Sequence, residues 1–168
     1  MSYTNKTYII FDADSDMDYY EEMVRWKDSN HIDFNFYNAH DLNNLRDGSL
    51  EETIKRKLRE RMNNTKQVIV LVGDSTQYLY KFVRWEIDIA INMDIPIIAV
   101  NLNNLNFAHS NTPPILKNSS YFVSVPYEIE KIKYALDNFP SEYHREKLEA
   151  PSSRTYNFDK IDSKYIIL

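Results

Sequence analysis

The chain has 168 residues, with 20 Lys and Arg against 25 Asp and Glu, a net charge of -5 and no cysteine. This length suits one domain with a sizeable core, the acidic balance argues against duplex nucleic acid as the main partner, and the lack of thiols excludes disulfides, thiolate metal sites and a cysteine nucleophile. No apolar run approaches the ~18 residues of a membrane span, and Met1-Ser-Tyr-Thr-Asn-Lys6 carries no apolar signal core, so a cytoplasmic protein is expected.

Short apolar runs alternate with amphipathic stretches along the chain, the pattern of an α/β fold with a parallel sheet. Residues 7–11 read as the first strand, closed by Asp12-Ala-Asp-Ser-Asp16. A helix is expected from Asp16 to about Asp28, with its acidic residues at the start as the helix dipole prefers. Ile32-Asp-Phe-Asn-Phe36 alternates with period two and reads as a strand near an edge, followed by a polar loop from Tyr37 to Gly48. Ser49-Leu-Glu-Glu52 forms a capping box for a helix with Leu50, Ile54, Leu58 and Met62 on one stripe. Residues 67–72 and 95–100 are continuous apolar runs, hence buried central strands. Residues 101–120 lack a clear period and contain Pro113-Pro114, which suggests a long loop. A fifth strand at 121–125 and a helix from about Glu128 to Phe139 complete a domain over 1–140, with 141–168 as a polar tail. The expected architecture is three-layered, a five-stranded parallel sheet of order 2-1-3-4-5.

Such sheets bind ligands at the carboxyl ends of their strands. The residues that fall there are Phe11, Asp12 and Asp14 after strand 1, Asn38, His40, Asp41 and Asp47 after strand 2, Asp74, Ser75 and Tyr78 after strand 3, and Asn101 and Asn103 after strand 4. Glycine is scarce, only Gly48 and Gly73, so neither a P-loop nor a GxGxxG turn is present. The four histidines are scattered without zinc spacing, and Ser75 has no obvious His-Asp partners for a hydrolase triad, so no metal site is expected. The acidic run at 12–18 could suggest a phospho-receiver site, but Asp74 follows a glycine in a turn and no Lys follows strand 5, where Val125-Pro-Tyr-Glu128 stands. The basic residues Lys55, Arg56, Lys57, Arg59 and Arg61 are interleaved with acids, as on a solvated helix face.

The sharpest single feature is Glu86, in the helical stretch Lys81-Phe-Val-Arg-Trp-Glu-Ile-Asp-Ile-Ala-Ile-Asn-Met93. Arg84, Asp88 and Asn92 make one polar stripe, and Glu86 lies roughly 160° from its middle at about 100° per residue. A carboxylate thus stands on the face that should be buried, beside Phe82, Ile89, Ala90 and Met93. That costs several kcal/mol unless the charge is paired, hydrated or put to use. Two readings follow, a buried ion pair with a neighbouring Arg or Lys and a functional carboxylate.

In order and spacing the chain resembles the TIR-like domains of bacteria and archaea, including the TIR-like subunit of the Thoeris anti-phage system. The resemblance rests on Tyr8-Ile-Ile-Phe-Asp-Ala-Asp-Ser-Asp16, Asn38-Ala-His-Asp-Leu42 with Arg46-Asp47, Gln67-Val-Ile-Val-Leu-Val-Gly-Asp-Ser75, Lys81-Phe-Val-Arg-Trp-Glu-Ile87, Ile95-Pro-Ile-Ile-Ala-Val-Asn101 and Pro113-Pro-Ile-Leu-Lys117. It covers about residues 5 to 140 and implies a flavodoxin-like, TIR-like fold. Enzymatic TIR domains cleave NAD+ between nicotinamide and ribose with a glutamate on the helix after strand 3, a position that falls on Glu86. The resemblance further implies a cyclised or conjugated ADP-ribose signal that activates an effector, self-association through loops such as 38–48, and NAD+ as substrate rather than cofactor. Phe11, Asp12, Asp14, Asp41, Asp47, Ser75 and Tyr78 would surround the nucleotide, although an acidic loop after strand 1 repels pyrophosphate unless it faces ribose or the nicotinamide cation. Two rival readings are a non-catalytic TIR-like interaction module and a nucleoside deoxyribosyltransferase-like enzyme.

Overall fold

The structure is a computed structural model and describes residues 6–28, 35–36, 50–79, 81–149 and 153–160. In chain order the elements are β1 (Lys6–Ile10), α1 (Met17–Asp28), β2 (Asn35–Phe36), α2 (Glu51–Met62), β3 (Gln67–Val72), α3 (Phe82–Asn92), β4 (Ile97–Asn101), α4 (Pro114–Ser119), β5 (Phe122–Pro126), α5 (Ile129–Glu146) and β6 (Ser153–Thr155). Short 3-10 turns occur at Thr76–Tyr78 and Phe158–Lys160.

The strands form one sheet of order β2-β1-β3-β4-β5-β6, and every neighbouring pair is parallel. In register, Tyr8 stands opposite Val68, Val70 opposite Ala99, and Ala99 opposite Ser124. β3, β4 and β5 are buried along their whole length, as their unbroken apolar runs require when helices cover both faces of a sheet. Right-handed crossovers put α2, α3 and α4 on one face and α1 on the other. Accordingly α3 packs against both α2 and α4. On the opposite face Tyr127, next to α5, touches Tyr19 and Trp26 of α1.

Several expected boundaries move. Among the described residues the sheet has six strands rather than five. β6 is three polar residues, Ser153-Arg-Thr155, which carry no apolar period for a sequence pattern to reveal. It is held by backbone pairing to β5 and by Arg154, whose guanidinium lies 2.8 Å from Glu146 and 3.4 Å from Glu142. α5 does not stop at Phe139 but runs to Glu146 through Pro140, crossing the position expected to divide domain from tail. The buried stripe Ile132, Leu136, Phe139 and Tyr143 continues across the proline, and that packing offsets the one lost backbone hydrogen bond. Tyr143 then donates to Asp94 Oδ1 at 2.7 Å, and Lys147 pairs with the same carboxylate, tying α5 to the end of α3.

Leu50 is not on the buried stripe of α2. It is the extended N-cap residue, 76% exposed, and therefore off the helical wheel, while Ile54, Leu58 and Met62 are buried. Ser49 lies outside the described residues. β4 starts at Ile97, not 95, and the loop 101–120 contains the short helix α4, opened by Pro113 and Pro114. Of the expected strand 32–36 only Asn35–Phe36 is described.

Candidate functional site

α3 forms because Phe82–Asn92 is rich in residues that sit well in a helix once one face is covered, and Val83, Glu86, Ile87, Ile89 and Ala90 are its buried side. Glu86 is thus carried into the interface with the sheet by the same helical register that buries its apolar neighbours. It is 6% exposed. Among the described residues nothing donates a hydrogen bond to its carboxylate and no ion pair reaches it. Burial pushes its pKa up to about 8, and the positive charge of Arg61 on α2 opposes this without closing to a salt bridge. A buried carboxyl without a partner is held near neutrality of the solution, able to be charged or uncharged as its surroundings change.

β1 supplies the other side of this region. Tyr8 lies in the middle of the strand and is 1% exposed, and α3 packs on β1. The Tyr8 hydroxyl is buried with no hydrogen-bond partner among the described residues. Burial raises its pKa strongly, and the Glu86 charge raises it further, while Arg61 lowers it. Glu86, Tyr8 and Arg61 therefore share one electrostatic neighbourhood between β1, α2 and α3. Sequence reasoning missed Tyr8, because a tyrosine within an apolar strand reads as core. It took Arg61 for part of a solvated face, but Arg61 is half-buried beside the carboxylate.

The carboxyl ends of β1 and β3 meet at a second, acidic group. Asp12, directly after β1, accepts a 2.6 Å hydrogen bond from the Ser75 hydroxyl and a 3.0 Å bond from the Asp14 backbone N–H. Burial pushes the Asp12 pKa up, but these bonds and those from Ser15 outweigh it and hold the carboxyl below its ordinary value. Asp16, at the entry to α1, is also 6% exposed, and its Oδ2 has no partner among the described residues. Burial and the charges of Asp12 and Asp74 raise its pKa to about 6. Gly73 leaves room for this carboxyl: a Cβ at this position would stand 2.6 Å from Asp16 Oδ2 and 2.8 Å from Oδ1, so the Asp16 side chain would have to move.

Phe11 stacks on Tyr20 of α1 with centroids 4.7 Å apart. Asp14 is exposed and contributes its N–H rather than a buried side chain, and Tyr78 is 61% exposed beside the rim. The structure thus brings Asp12, Asp14 and Ser75 together, whereas Glu86 groups with Tyr8 and Arg61. Asp41 and Asp47, together with Asn38, His40 and Arg46, lie outside the described residues, as does the loop 38–48 expected to support self-association. After β4, the buried Asn101 donates to the carbonyls of Leu105 and Phe107 at 2.7 and 3.0 Å and lies 3.1 Å from His109 Nε2. His109 Nδ1 accepts from the Asn111 N–H, so Nε2 carries the proton and donates to Asn101 Oδ1. Asn111 in turn donates to Asp74 at 3.2 Å, binding the loops after β3 and β4 into one rim. His109 and Asn101 therefore organise a loop. Among the described residues no group of three His, Cys, Asp or Glu side chains is arranged to hold a metal ion, and no helix is long and apolar enough to cross a membrane.

Chemically, an unpaired carboxyl in a low-dielectric interface can stabilise a positive charge that develops beside it, or accept hydrogen bonds from hydroxyls. The acidic rim disfavours phosphate and favours donors. A family model described as Thoeris protein ThsB, TIR-like domain, matches residues 8–106, more than half of the chain, from the middle of β1 into the loop after β4. The match includes Glu86, Tyr8, Arg61 and the Asp12–Ser75 pair. The chain belongs to the Thoeris ThsB TIR-like domain family.

Proposed function

We propose that this chain is a TIR-like enzyme of anti-phage defence that cleaves NAD+ at the bond between nicotinamide and ribose, with Glu86 as the catalytic residue. The observation that supports this most directly is the Glu86 carboxyl itself, 6% exposed and with neither hydrogen bond nor ion pair among the described residues. A purely structural buried carboxylate would be expected to have its charge matched.

The C1′–N bond breaks with its electron pair going to the pyridinium, which leaves as neutral nicotinamide and needs no general acid. The second carboxylate of O-glycoside cleavage is therefore dispensable. Positive charge passes to an oxocarbenium-like ribose, and ionised Glu86 stabilises it across a dry interface. Water attacking C1′ gives ADP-ribose and a proton. Attack by an adenine or ribose group of the same molecule gives a cyclic isomer, a diffusible signal suited to activating an effector. The cationic nicotinamide ring favours the ionised carboxyl, so substrate binding itself drives Glu86 toward its active charge state.

The test is incubation with NAD+, alone and with extract of phage-infected cells, followed by mass analysis. Nicotinamide release by the wild type and its loss in Glu86→Gln are expected. A second reading, a non-catalytic interaction module, is favoured by the exposed side chains of Tyr78, Phe82, Leu105 and Phe107. It predicts no nicotinamide release under either condition.

A further inference from the structure

The Tyr8 hydroxyl is buried without a hydrogen-bond partner among the described residues, and Glu86, 6% exposed, carries a carboxylate that no described residue hydrogen-bonds. They belong to elements that pack directly on one another, α3 on β1. They are not bonded to each other, and each feels the charge of Arg61. Buried polar groups are rarely left unsatisfied, and such groups mark a place for water or a ligand. A single group that satisfies both must accept from the phenol and donate to the carboxylate. A hydroxyl does this, an amide carbonyl or a phosphate oxygen does not.

We infer that Tyr8 and Glu86 together form a hydroxyl-binding pair and that Tyr8 selects a sugar hydroxyl on the ligand. The inference rests on the NAD+ reading of Glu86 and adds to it a specificity-determining residue on β1. With its hydroxyl buried the phenol stays protonated throughout the working pH range, so it is a fixed donor. Its O–H donates to an oxygen lone pair of the ligand. Of the hydroxyls on NAD+, those on the nicotinamide ribose lie next to the bond that breaks. A hydroxyl held between Tyr8 and Glu86 would place C1′ beside the carboxylate while leaving the pyridinium free to depart. Sites built to hydrogen-bond a hydroxyl reject analogues that lack it much more strongly than apolar pockets reject an extra group, because the buried partners are left unpaired.

The experiment compares wild type, Tyr8→Phe and Glu86→Gln on NAD+ and on analogues lacking the 2′- or 3′-hydroxyl of the nicotinamide ribose, with nicotinamide release as readout and thermal unfolding as control. Tyr8→Phe removes one oxygen that has no partner among the described residues, so its melting temperature should equal or exceed that of the wild type. The wild type should prefer NAD+ over one of the two analogues by at least about 10-fold in kcat/KM, and Tyr8→Phe should lower kcat/KM for NAD+ by about 10- to 100-fold and remove that preference. If Tyr8→Phe cleaves NAD+ at the wild-type rate, or slows but keeps the full preference, the inference is overturned while the Glu86 reading stands. If the wild type releases no nicotinamide with or without infected-cell extract, the Glu86 reading fails and this inference with it.

Discussion

Asp12 and Glu86 are equally closed to solvent, 6% each, yet burial leaves them in opposite states. Asp12 is held below its ordinary pKa and Glu86 is raised to about 8. Part of the contrast is depth: Asp12 stands at the rim of the sheet, Glu86 in the interface between α3 and β1. Asp16 separates depth from partners. It shares the rim and the 6% exposure with Asp12 but has an Oδ2 without a donor, and its pKa rises to about 6. At the rim, then, hydrogen bonds hold Asp12 down while burial and the charges of Asp12 and Asp74 raise Asp16. Asp12 spends its lone pairs on Ser75 and on the backbone of its own turn and so shapes the loop after β1. Glu86 has no such bond among the described residues, which under the proposed function leaves its lone pairs open to a ligand.

The largest test of that contrast is kinetic. Glu86→Gln keeps shape and removes charge, and it should lower NAD+ turnover by about 1,000-fold or more, the scale of removing a charge stabiliser of the transition state. Stability should hold or increase, because a buried charge has been removed. The measurement is nicotinamide release set beside a urea melt. A variant that turns over normally would place the chemistry elsewhere, and one that loses several kcal/mol of stability would make Glu86 a structural charge.

A second test reads the same carboxyl through pH. The folded-state pKa of Glu86 is raised above the unfolded one, so its contribution to stability is complete below the unfolded value near 4.5 and is lost as pH rises toward about 8. Glu86→Gln lacks that dependence. The stability of the variant relative to wild type should therefore rise between pH 5 and pH 9 by a few kcal/mol, at about 1.4 kcal/mol per pKa unit. In kinetics, kcat/KM should climb through pH 8 as the free enzyme ionises, whereas kcat should reach its plateau at lower pH because the bound nicotinamide cation favours the carboxylate. Coincident profiles would mean that the cation does not sit next to Glu86.

How much of this was legible before the structure follows from the physics of each element. The buried strands were legible because β3 and β4 are unbroken apolar runs, and Glu86 because a carboxylate interrupts an otherwise consistent apolar face. β6 was not, since three polar residues held by Arg154 leave no hydrophobic period. α5 was cut short because Pro140 reads as a stop until Tyr143 is seen packed beyond it. Tyr8 was invisible because its ring belongs to the core and only its oxygen is anomalous, a property of neighbours and not of sequence. The rim residues Asp12, Asp14 and Ser75 were selected by the rule for strand ends, which found their location but could not say that they bond one another. Asp41 and Asp47 lie outside the described residues.

The third test concerns the paired member of the comparison. Asp12→Ala leaves the Ser75 hydroxyl and the Asp14 N–H without their acceptor and should cost about 1–3 kcal/mol, measured by denaturant unfolding. A neutral result would mean that solvent satisfies these donors and that Asp12 is free to engage a ligand, as proposed for Glu86.

The smallest test removes one donor only. Ser75→Ala deletes the 2.6 Å bond to Asp12 Oδ2 and should cost about 1 kcal/mol. The folded pKa of Asp12 is depressed, so its contribution to stability is present above the unfolded value near 3.8 and is lost as pH falls through the folded one. Without Ser75 the folded pKa moves up toward the ordinary value, so the contribution begins to fade at a higher pH. The midpoint of acid unfolding should shift upward by a few tenths of a pH unit, on the scale of a bond worth about 1 kcal/mol. The kcat/KM profile near pH 8 should not move, because that limb belongs to Glu86. The two readouts together decide what the rim is for. A shifted acid midpoint with unchanged kinetics keeps Asp12 and Ser75 as the framework of the loop. A fall in kcat/KM with unchanged stability would instead put the Ser75 hydroxyl on the substrate, and the division between a paired rim and an unpaired interior would no longer mark the boundary between structure and chemistry.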